Sequence, residues 1–398
     1  LSVLGAAEFA RGDYGDARTR WLDGYWTAVA VAHGEIELAN AVALLYLAAG
    51  ENVDPKEGAL WRGTAEALVR RQHAERTEDQ VSLLEGEADL ALLAGDRPEA
   101  ERLALAAVTL SAELFGAESL RTSETRLTAG RVLRNVGKHD RALAEYTAAR
   151  EILRARLGPD HPALAHASHN LAVVLDDLER LDEAEAEYLD AMRIVETSIG
   201  PDATQLGILY SNLSDLYARQ GRFADGEAAA RRALVILEAE FGPSHPRVAI
   251  ALNNLAKTLL YLKRYDEARA LFERSIDLYE RTLGPEHYDV AYPVHGMGDI
   301  TLRLGQFDVA EQYYRRSLAL TEKARGPEHP EDAFDHYGIG VALLARGRPR
   351  EALPSLERSI ALWGARPKYS DRVGEARFAR AQALWALGQG RAEARGEA

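Results

Sequence analysis

The sequence contains no cysteine and no long apolar run. Without cysteine, the chain can form neither a disulfide nor a thiolate metal site. The best apolar stretch, residues 41–49, is about half of the ~20 residues that a membrane-spanning helix needs. The first residues lack a basic region and soon reach Glu8, which excludes a secretory signal peptide. We therefore expect a cytoplasmic protein that has no membrane partner.

Positive charge is also scarce, because 48 Lys and Arg face 62 Asp and Glu, for a net charge of −14. Nucleic acids normally meet a basic stripe on a protein, so the charge balance argues against a nucleic-acid partner. β-branched residues are sparse beside Ala, Leu, Glu and Arg, which is a helix-forming composition. A length of 398 residues indicates several domains or a repeat array. The chain opens on Leu1 rather than on Met, and we expect it to be part of a longer protein.

Enzyme signatures are missing as well. The sequence contains no nucleophile elbow, no Walker loop and no His-Glu-x-x-His motif. Gly296-Met-Gly298 and Gly338-Ile-Gly340 superficially resemble a nucleotide-binding loop, but no predicted strand precedes them, and they fall inside predicted helices. We interpret them as packing glycines. The sequence predicts a chain that is not an enzyme and that has no cofactor.

One tetrapeptide recurs at an interval of 42 residues. It is Gly158-Pro-Asp-His161, Gly200-Pro-Asp-Ala203, Gly242-Pro-Ser-His245, Gly284-Pro-Glu-His287 and Gly326-Pro-Glu-His329, and Gly116 lies one period earlier. Self-similarity at this period indicates stacked units that cannot bury their apolar faces alone. Between the turns, apolar residues follow the i, i+3, i+4 spacing of two helices per unit. The pattern predicts an all-α stack of antiparallel helical hairpins.

The histidines and prolines of these turns have a structural explanation. Glycine suits the left-handed position that ends a helix, and the second prolines, Pro162, Pro246 and Pro330, fall where the next helix should begin. Equivalent histidines on stacked helices are ~8–10 Å apart. They cannot converge on one metal ion at ~2 Å. We predict that they cap the turns and that the chain binds no metal.

Small residues and an aromatic recur where the two helices of a unit should cross. In successive units they are Gly130, Leu133, Ala142, Tyr146 and Ala149; Leu171, Ala172, Leu175, Ala184, Tyr188 and Ala191; Leu255, Ala256, Leu259, Ala268, Phe272 and Ser275; and Met297, Gly298, Ala310, Tyr314 and Ser317. This pattern resembles the tetratricopeptide repeat (TPR) family, and the 42-residue period with the string from Gly242 to Ala256 resembles its kinesin light-chain subtype. The resemblance implies a right-handed α-solenoid.

The stretch from Tyr265-Asp-Glu-Ala268 to Ala352-Leu-Pro-Ser-Leu356, which closes with Glu375-Ala-Arg-Phe-Ala379, is also similar to the C-terminal TPR arrays of bacterial serine/threonine protein kinases, although the chain has no kinase motif. We predict an N-terminal TPR-like hairpin in residues 1–34, a degenerate hairpin in 35–79 with a different turn near 51–55, and seven hairpins in 80–363. Residues 364–398 should form a capping helix followed by a frayed tail from Gly388.

Asparagine recurs at one repeat position, as Asn170, Asn212 and Asn254, with Asn253 beside the last. Asparagine is a mediocre helix former, so the series needs a reason. In the TPR family this position faces the concave groove and binds the backbone of an extended peptide, which the resemblance implies here. The alternative is a structural ladder between neighbouring helices, and both stay open. By the same resemblance, the further groove positions are Arg131, Arg134, His169, Asp215, Arg219, Lys257, Tyr261, His295, Arg303 and Tyr337.

The resemblance implies a scaffold that binds a protein or peptide of mixed charge. Two alternatives are a sensor arm of a larger kinase, NTPase or defence enzyme, and an architectural solenoid that self-associates through its ends. The five tryptophans bear on the last alternative, because Trp21, Trp26 and Trp61 lie near one end, and Trp363 and Trp385 near the other. They should either cover the ends of the core or form a docking surface.

Overall fold

The chain folds into helices throughout the residues that this computed structural model describes, 2–10, 14–50, 54–74, 76–364 and 369–388. It is 84% helical and contains no strand in those ranges. The predicted all-α class is confirmed. No helix of the described segments combines the length and apolarity required to cross a membrane.

The helices form two compact units, residues 1–198 and 199–398. The first unit contains α1 (Ser2–Ala10), α2 (Tyr14–Ala30), α3 (Gly34–Gly50), α4 (Pro55–Gln72), α5 (Glu78–Leu93), α6 (Arg97–Phe115), α7 (Leu120–Asn135), α8 (His139–Leu157), α9 (Pro162–Asp177) and α10 (Leu181–Ser198). The second unit contains α11 (Thr204–Arg219), α12 (Phe223–Phe241), α13 (Pro246–Tyr261), α14 (Tyr265–Leu283), α15 (Ala291–Arg303), α16 (Phe307–Arg325), α17 (Asp332–Ala345), α18 (Pro349–Trp363) and α19 (Ser370–Ala386), with a short 3-10 helix, Tyr288–Val290, before α15.

Consecutive helices pair into hairpins, each with an odd-numbered first helix and an even-numbered second helix. In each unit, successive first helices also contact one another, as α5 contacts α7 and α11 contacts α13. The surface that these first helices share is called the inner face of the unit below. The first unit departs from regular stacking at α3, which packs more extensively on α5 than α4 does. The proposed domain boundaries stay a prediction, since residues 51–53 and 389–398, where a turn and the tail were expected, lie outside the described residues.

The recurrent turns use glycine for its backbone freedom. Gly242 and Gly284 end their helices at φ 78° and 94°, a region that disfavours side chains with a Cβ atom. In the turns that carry a histidine, its Nδ1 accepts the backbone N–H two residues on, at 3.1–3.3 Å, in His161, His245, His287 and His329. The predicted capping role of these histidines is confirmed. No group of three His, Asp or Glu side chains that could hold a metal occurs in the described ranges.

Two of the three prolines occupy the first turn of the helix as predicted, and one does not. Pro162 and Pro246 begin α9 and α13. The expectation for Pro330 is wrong, because α17 begins at Asp332. The N–H groups of residues 332–334 donate to carbonyls three residues back, as in a 3-10 turn, so the regular helix starts later.

An arginine on each of several second helices anchors the preceding turn, which the sequence analysis missed. Arg232 donates to the carbonyl of Pro201 at 3.1 Å, and Arg358 donates to that of Pro327 at 2.6 Å. Arg274, which lies one period after Arg232, reaches the equivalent carbonyl at 3.5 Å. The hydrogen bond joins the proline turn that precedes a hairpin to the second helix of that hairpin.

The helix crossings are closed by the predicted pairs of small and aromatic residues. Tyr146, Phe272 and Tyr314 are at most 2% exposed. A Cβ atom at Gly130 would lie 2.6 Å from the Tyr146 ring, and one at Gly338 would lie 2.6 Å from the Tyr314 ring. These distances are shorter than any real contact, so the glycines serve packing, as predicted.

The five tryptophans fall into two groups. Trp21, Trp61 and Trp363 are buried, whereas Trp26 and Trp385 are 62% and 53% exposed.

Replacing Phe272 by alanine tests the packing at these crossings. The ring is 1% exposed, and its loss should reduce the free energy of unfolding by ~3–5 kcal/mol, as large-to-small core changes do. Hydrogen exchange should increase mainly in α11–α16, because each hairpin contacts only its neighbours. The control is Val235→Ala on α12, where the side chain is 58% exposed and the expected change is within about 0.5 kcal/mol. A uniform increase in exchange along the chain would contradict this local picture.

Candidate functional site

The inner face of the first unit carries two ion pairs between successive first helices. Arg131 of α7 donates to both carboxylate oxygens of Asp89 of α5, at 2.7 and 2.8 Å. Arg134, one turn on, donates to Asp177 of α9 at 2.5 Å. Burial raises the pKa of the Asp89 carboxyl, and Arg131 only partly offsets this effect. Both predicted arginines therefore lie on the inner face, and each is engaged by a carboxylate of a neighbouring hairpin.

The predicted residues of α9 form a polar but uncharged patch. The side-chain nitrogen of Asn170 lies 3.2 Å from Nε2 of His166. The His169 ring lies 6.1 Å from the ring of Tyr188. Burial, together with the nearby His166 and Arg134, lowers the pKa of His169 to about 4. At neutral pH this patch can thus exchange hydrogen bonds with a ligand but attracts no ion.

The second unit repeats the ion pair and adds an amide bridge. Lys257 of α13 donates to Asp215 of α11 at 2.6 Å. Burial lowers the pKa of Lys257, but Asp215 more than compensates, so the net pKa is raised. The Asn254 amide donates to the backbone carbonyl of Ser211 at 3.2 Å and to its hydroxyl at 3.0 Å. This is a contact of the kind that the ladder alternative requires, at one member of the asparagine series.

Asn212 occupies the same repeat position as Asn254, and Asn253 directly precedes Asn254, but neither decides between the two alternatives. Asn212 lies one period before Asn254, on α11, and is half-buried. Asn253 is also half-buried on α13. Peptide binding by the asparagine series therefore stays a prediction.

His295 of α15 lies between two carboxylates. Its Nδ1 is 2.7 Å from Asp335 of α17, and its Nε2 is 3.8 Å from Asp299 on its own helix. Asp335 also accepts the Ser317 hydroxyl at 2.8 Å, and Asp299 accepts the Tyr314 hydroxyl at 2.7 Å. Burial lowers the pKa of His295, but the two carboxylates outweigh burial and the nearby Lys257, and raise it to about 9. His295 is therefore a cation at neutral pH, and it ties α15 to α17.

The remaining predicted residues lie on first helices. Arg219, Tyr261 and Arg303 are the last residues of α11, α13 and α15, whereas Tyr337 lies in the middle of α17. Tyr261 stacks on Phe223 with the ring centroids 5.1 Å apart. Arg219 is half-buried on α11, and Arg303 is exposed on α15. Tyr337 of α17 lines an open groove of about 710 Å³ between α17 and α19. The structure thus distributes the predicted residues along two inner faces and does not gather them into one compact site.

The sequence analysis missed the carboxylate partners Asp89, Asp177 and Asp335 and the apolar groove beside Tyr337. Opposite charges spaced by about one period were a usable signal, because Asp89 and Arg131 differ by 42 positions, as do Asp215 and Lys257. The groove had no comparable signal, since α19 follows a turn that lacks the recurrent Gly-Pro motif.

The charged state of His295 predicts a loss of stability at alkaline pH. Its pKa is raised from 6.5 to about 9, so its contribution is complete below pH 6.5 and disappears as the pH rises through 9. The free energy of unfolding should fall by roughly 3 kcal/mol across this window. Urea unfolding at several pH values should reveal the slope. It should vanish in His295→Gln and persist in His33→Gln, where the side chain is exposed. The same slope in both variants would contradict the assignment.

Family comparisons agree with the repeat pattern. The tetratricopeptide repeat profile matches residues 125–197, 205–281, 247–323 and 289–365, which together exceed half of the chain. A second tetratricopeptide repeat profile matches residues 337–394. A search of curated proteins gives no significant match.

Solved structures share the fold at low sequence identity. The apo form of the quorum sensor NprR from B. thuringiensis has a TM-score of 0.62 at 14% identity, over 90% of this chain and 100% of that chain. The apo form of RapI has a TM-score of 0.58 at 10% identity, over 88% and 92%. TPR-like repeats of a kinesin light chain from P. anserina have a TM-score of 0.45 at 17% identity, over 51% and 96%.

The tetratricopeptide repeat fold is typical of protein–protein interaction scaffolds. The resemblance to kinase-associated arrays stays a prediction. The repeat profiles, which span more than half of the sequence, establish that the chain belongs to the tetratricopeptide repeat family.

Proposed function

We propose that the chain is a non-catalytic scaffold that binds a protein or an extended peptide along the inner faces of its hairpins. It acts in the cytoplasm as part of a larger bacterial signalling protein, and it uses no cofactor and no nucleic acid. The family and the fold support a binding role. The choice of surface rests on the side chains of the first helices.

The observation that carries the proposal is the repetition of half-exposed amides on the first helices. Asn170, Asn212 and Asn254 occupy one repeat position, and all are half-buried. An amide both donates and accepts hydrogen bonds, as a peptide backbone does. Asn212 and Asn254, spaced by one hairpin in the second unit, can therefore bind a chain that runs across α11 and α13, and Asn170 can act in the same way on α9 of the first unit.

The charges of the inner face determine which partner fits. Arg131 and Lys257 are neutralised by carboxylates of neighbouring hairpins. A ligand group that approaches such a pair meets both signs within a few ångströms. We therefore propose a partner segment of mixed charge, with binding that added salt weakens but does not abolish.

Self-association is the alternative that a specific observation favours. Trp26 of α2 and Trp385 of α19 are more than half exposed. Trp26 lies near the start of the sequence, and Trp385 lies on its last helix. Light scattering of the purified chain distinguishes the two functions, because an architectural solenoid should form oligomers that grow with concentration without a partner. The sensor-arm alternative requires binding to change the hydrogen exchange of the distant hairpins.

The asparagine series provides the direct test of peptide binding. Each amide contributes ~0.5–1.5 kcal/mol net, so replacing Asn170, Asn212 and Asn254 by alanine should weaken binding of a captured partner roughly ten- to thousandfold. The melting temperature should fall little in comparison. Asn254 also bonds to Ser211 of the neighbouring hairpin. The single variant Asn254→Ala therefore shows whether this amide acts mainly in peptide binding, through its effect on affinity, or in the structural ladder, through its effect on melting temperature.

The matched control replaces Glu240, Glu273 and Gln312, which are exposed on second helices, by alanine. This variant should bind as the wild type does. If the asparagine variant loses melting temperature first and affinity only through unfolding, the amides serve as a structural ladder. Unchanged affinity would remove them from the site.

A further inference from the structure

One repeat position on the inner faces carries acids, bases and valines. In chain order its residues are Asp89, Arg131, Val173, Asp215, Lys257, Asp299 and Val341. Asp89 pairs with Arg131 at the same position of the next hairpin, and Asp215 pairs with Lys257 in the same way. Asp299 occupies this position on α15, but the residue one period later is Val341. The third carboxylate of the series therefore lacks the cation that the other two receive from the following hairpin.

The immediate partners of Asp299 do not supply that cation in full. Asp299 accepts a hydrogen bond from the neutral Tyr314 hydroxyl at 2.7 Å. It also shares His295 with Asp335, and Asp299 is the carboxylate that lies farther from the imidazole, at 3.8 Å against 2.7 Å. No lysine or arginine of the described segments forms an ion pair with Asp299, although the exposed Arg303 lies one turn further along α15. Two carboxylates thus face one imidazolium, and Asp299 remains 35% exposed.

The missing cation adjoins an apolar surface. Val341 lines the groove of about 710 Å³ between α17 and α19, together with Tyr337, Leu344, Phe378 and Trp385. Phe378 and Trp385 are 51% and 53% exposed. Large apolar side chains that remain this exposed next to one another indicate a surface for a partner.

The groove and the acidic position are neighbours. Burial raises the pKa of the Tyr337 hydroxyl, and so do the carboxylates of Glu375 and Asp299, while Arg372 lowers it. Both carboxylates therefore act electrostatically on a residue that lines the groove. Glu375 is itself paired with Arg372 at 3.0 Å, which leaves Asp299 as the carboxylate that needs a cation from outside.

We propose that the α15–α17–α19 surface binds a lysine or arginine of the partner at Asp299 and an adjacent large apolar side chain in the groove beside Val341. This inference rests on the proposed function and assigns the chemistry of one segment of the bound peptide. The ligand cation takes the place that Lys257 occupies next to Asp215. An acidic residue at this point would meet Asp299 without a compensating charge.

Blocked peptides in a glycine-serine frame test the assignment on the full chain. Four peptides carry Lys-Phe, Glu-Phe, Lys-Ala or Glu-Ala at their centre, and titration calorimetry at low salt measures their affinities. We expect Lys-Phe to bind at least tenfold more tightly than Glu-Phe or Lys-Ala. Equal affinities for Lys-Phe and Glu-Phe would overturn the proposal.

Two substitutions test the site from the side of the protein. Asp299→Asn keeps an acceptor for Tyr314 but removes the charge, so the preference for Lys-Phe over Glu-Phe should disappear. Val341→Lys supplies the missing ladder cation, and it should reduce Lys-Phe affinity tenfold or more while the melting temperature stays unchanged or rises. The control Val235→Lys places the same charge on exposed α12 and should leave affinity unchanged.

The outcomes separate this inference from the proposed function. If a captured partner binds and depends on the asparagine series but Val341→Lys has no effect on either partner or peptide, the assignment is wrong and the proposed function stands. If Lys-Phe binds and Val341→Lys abolishes this binding while the asparagine variant has no effect, the assignment holds and the backbone-binding role of the asparagines fails. Val341→Lys that melts like the wild type excludes misfolding as the cause of a loss.

Discussion

The close crossing of helices is the constraint on which the rest of the structure depends. Each hairpin has more apolar surface than it can bury alone, and at several crossings an aromatic ring against a small residue closes the gap, as Tyr146 does against Gly130. Ring and glycine must match, because a Cβ atom at Gly338 would overlap the Tyr314 ring. This requirement fixes the spacing of the hairpins. The spacing in turn decides which side chains of successive first helices can reach one another.

The inner faces follow from this spacing. Once first helices approach closely, charged side chains there are partly removed from water, and a half-buried charge needs a partner. Asp89 and Arg131 satisfy each other across one hairpin interval, and Lys257 and Asp215 do the same. Such pairs contribute selectivity more than affinity, since a ligand group must replace an existing partner to gain from either charge. The histidine patch of α9, which is neutral because burial lowers the pKa of His169 to about 4, offers hydrogen bonds without that competition.

The periodicity of the sequence was sufficient to predict the helical hairpins but not the side-chain contacts between hairpins. The 42-residue glycine interval, the caps at His161 and His245 and the buried ring of Phe272 all followed from local chemistry that each repeat carries in itself. The ion pairs depend on offsets between helices, which are 42 positions for Asp89 and Arg131, 43 for Arg134 and Asp177, and 40 for His295 and Asp335. A shift of two positions moves a side chain to another side of its helix, so only the folded stack identifies the partners. The late start of α17 after Pro330 is of the same kind, because it depends on three hydrogen bonds of the turn and not on the motif.

Departures from a repeat carry more functional information than the repeat itself. A position that serves only packing is satisfied at its own helix crossing, as the buried rings of Tyr146, Phe272 and Tyr314 are. Charges on an inner face are different, because each one must find its partner in a neighbouring hairpin, in a ligand or in water. Val341 leaves Asp299 without the cation that follows Asp89 and Asp215 one period later, and in the same place an apolar groove opens toward Phe378 and Trp385. A carboxylate without its cation and exposed apolar side chains on adjoining helices are both unfavourable for an isolated chain. A single occupant that brings a cation and an apolar side chain relieves both at once, which is why the two departures are best explained together.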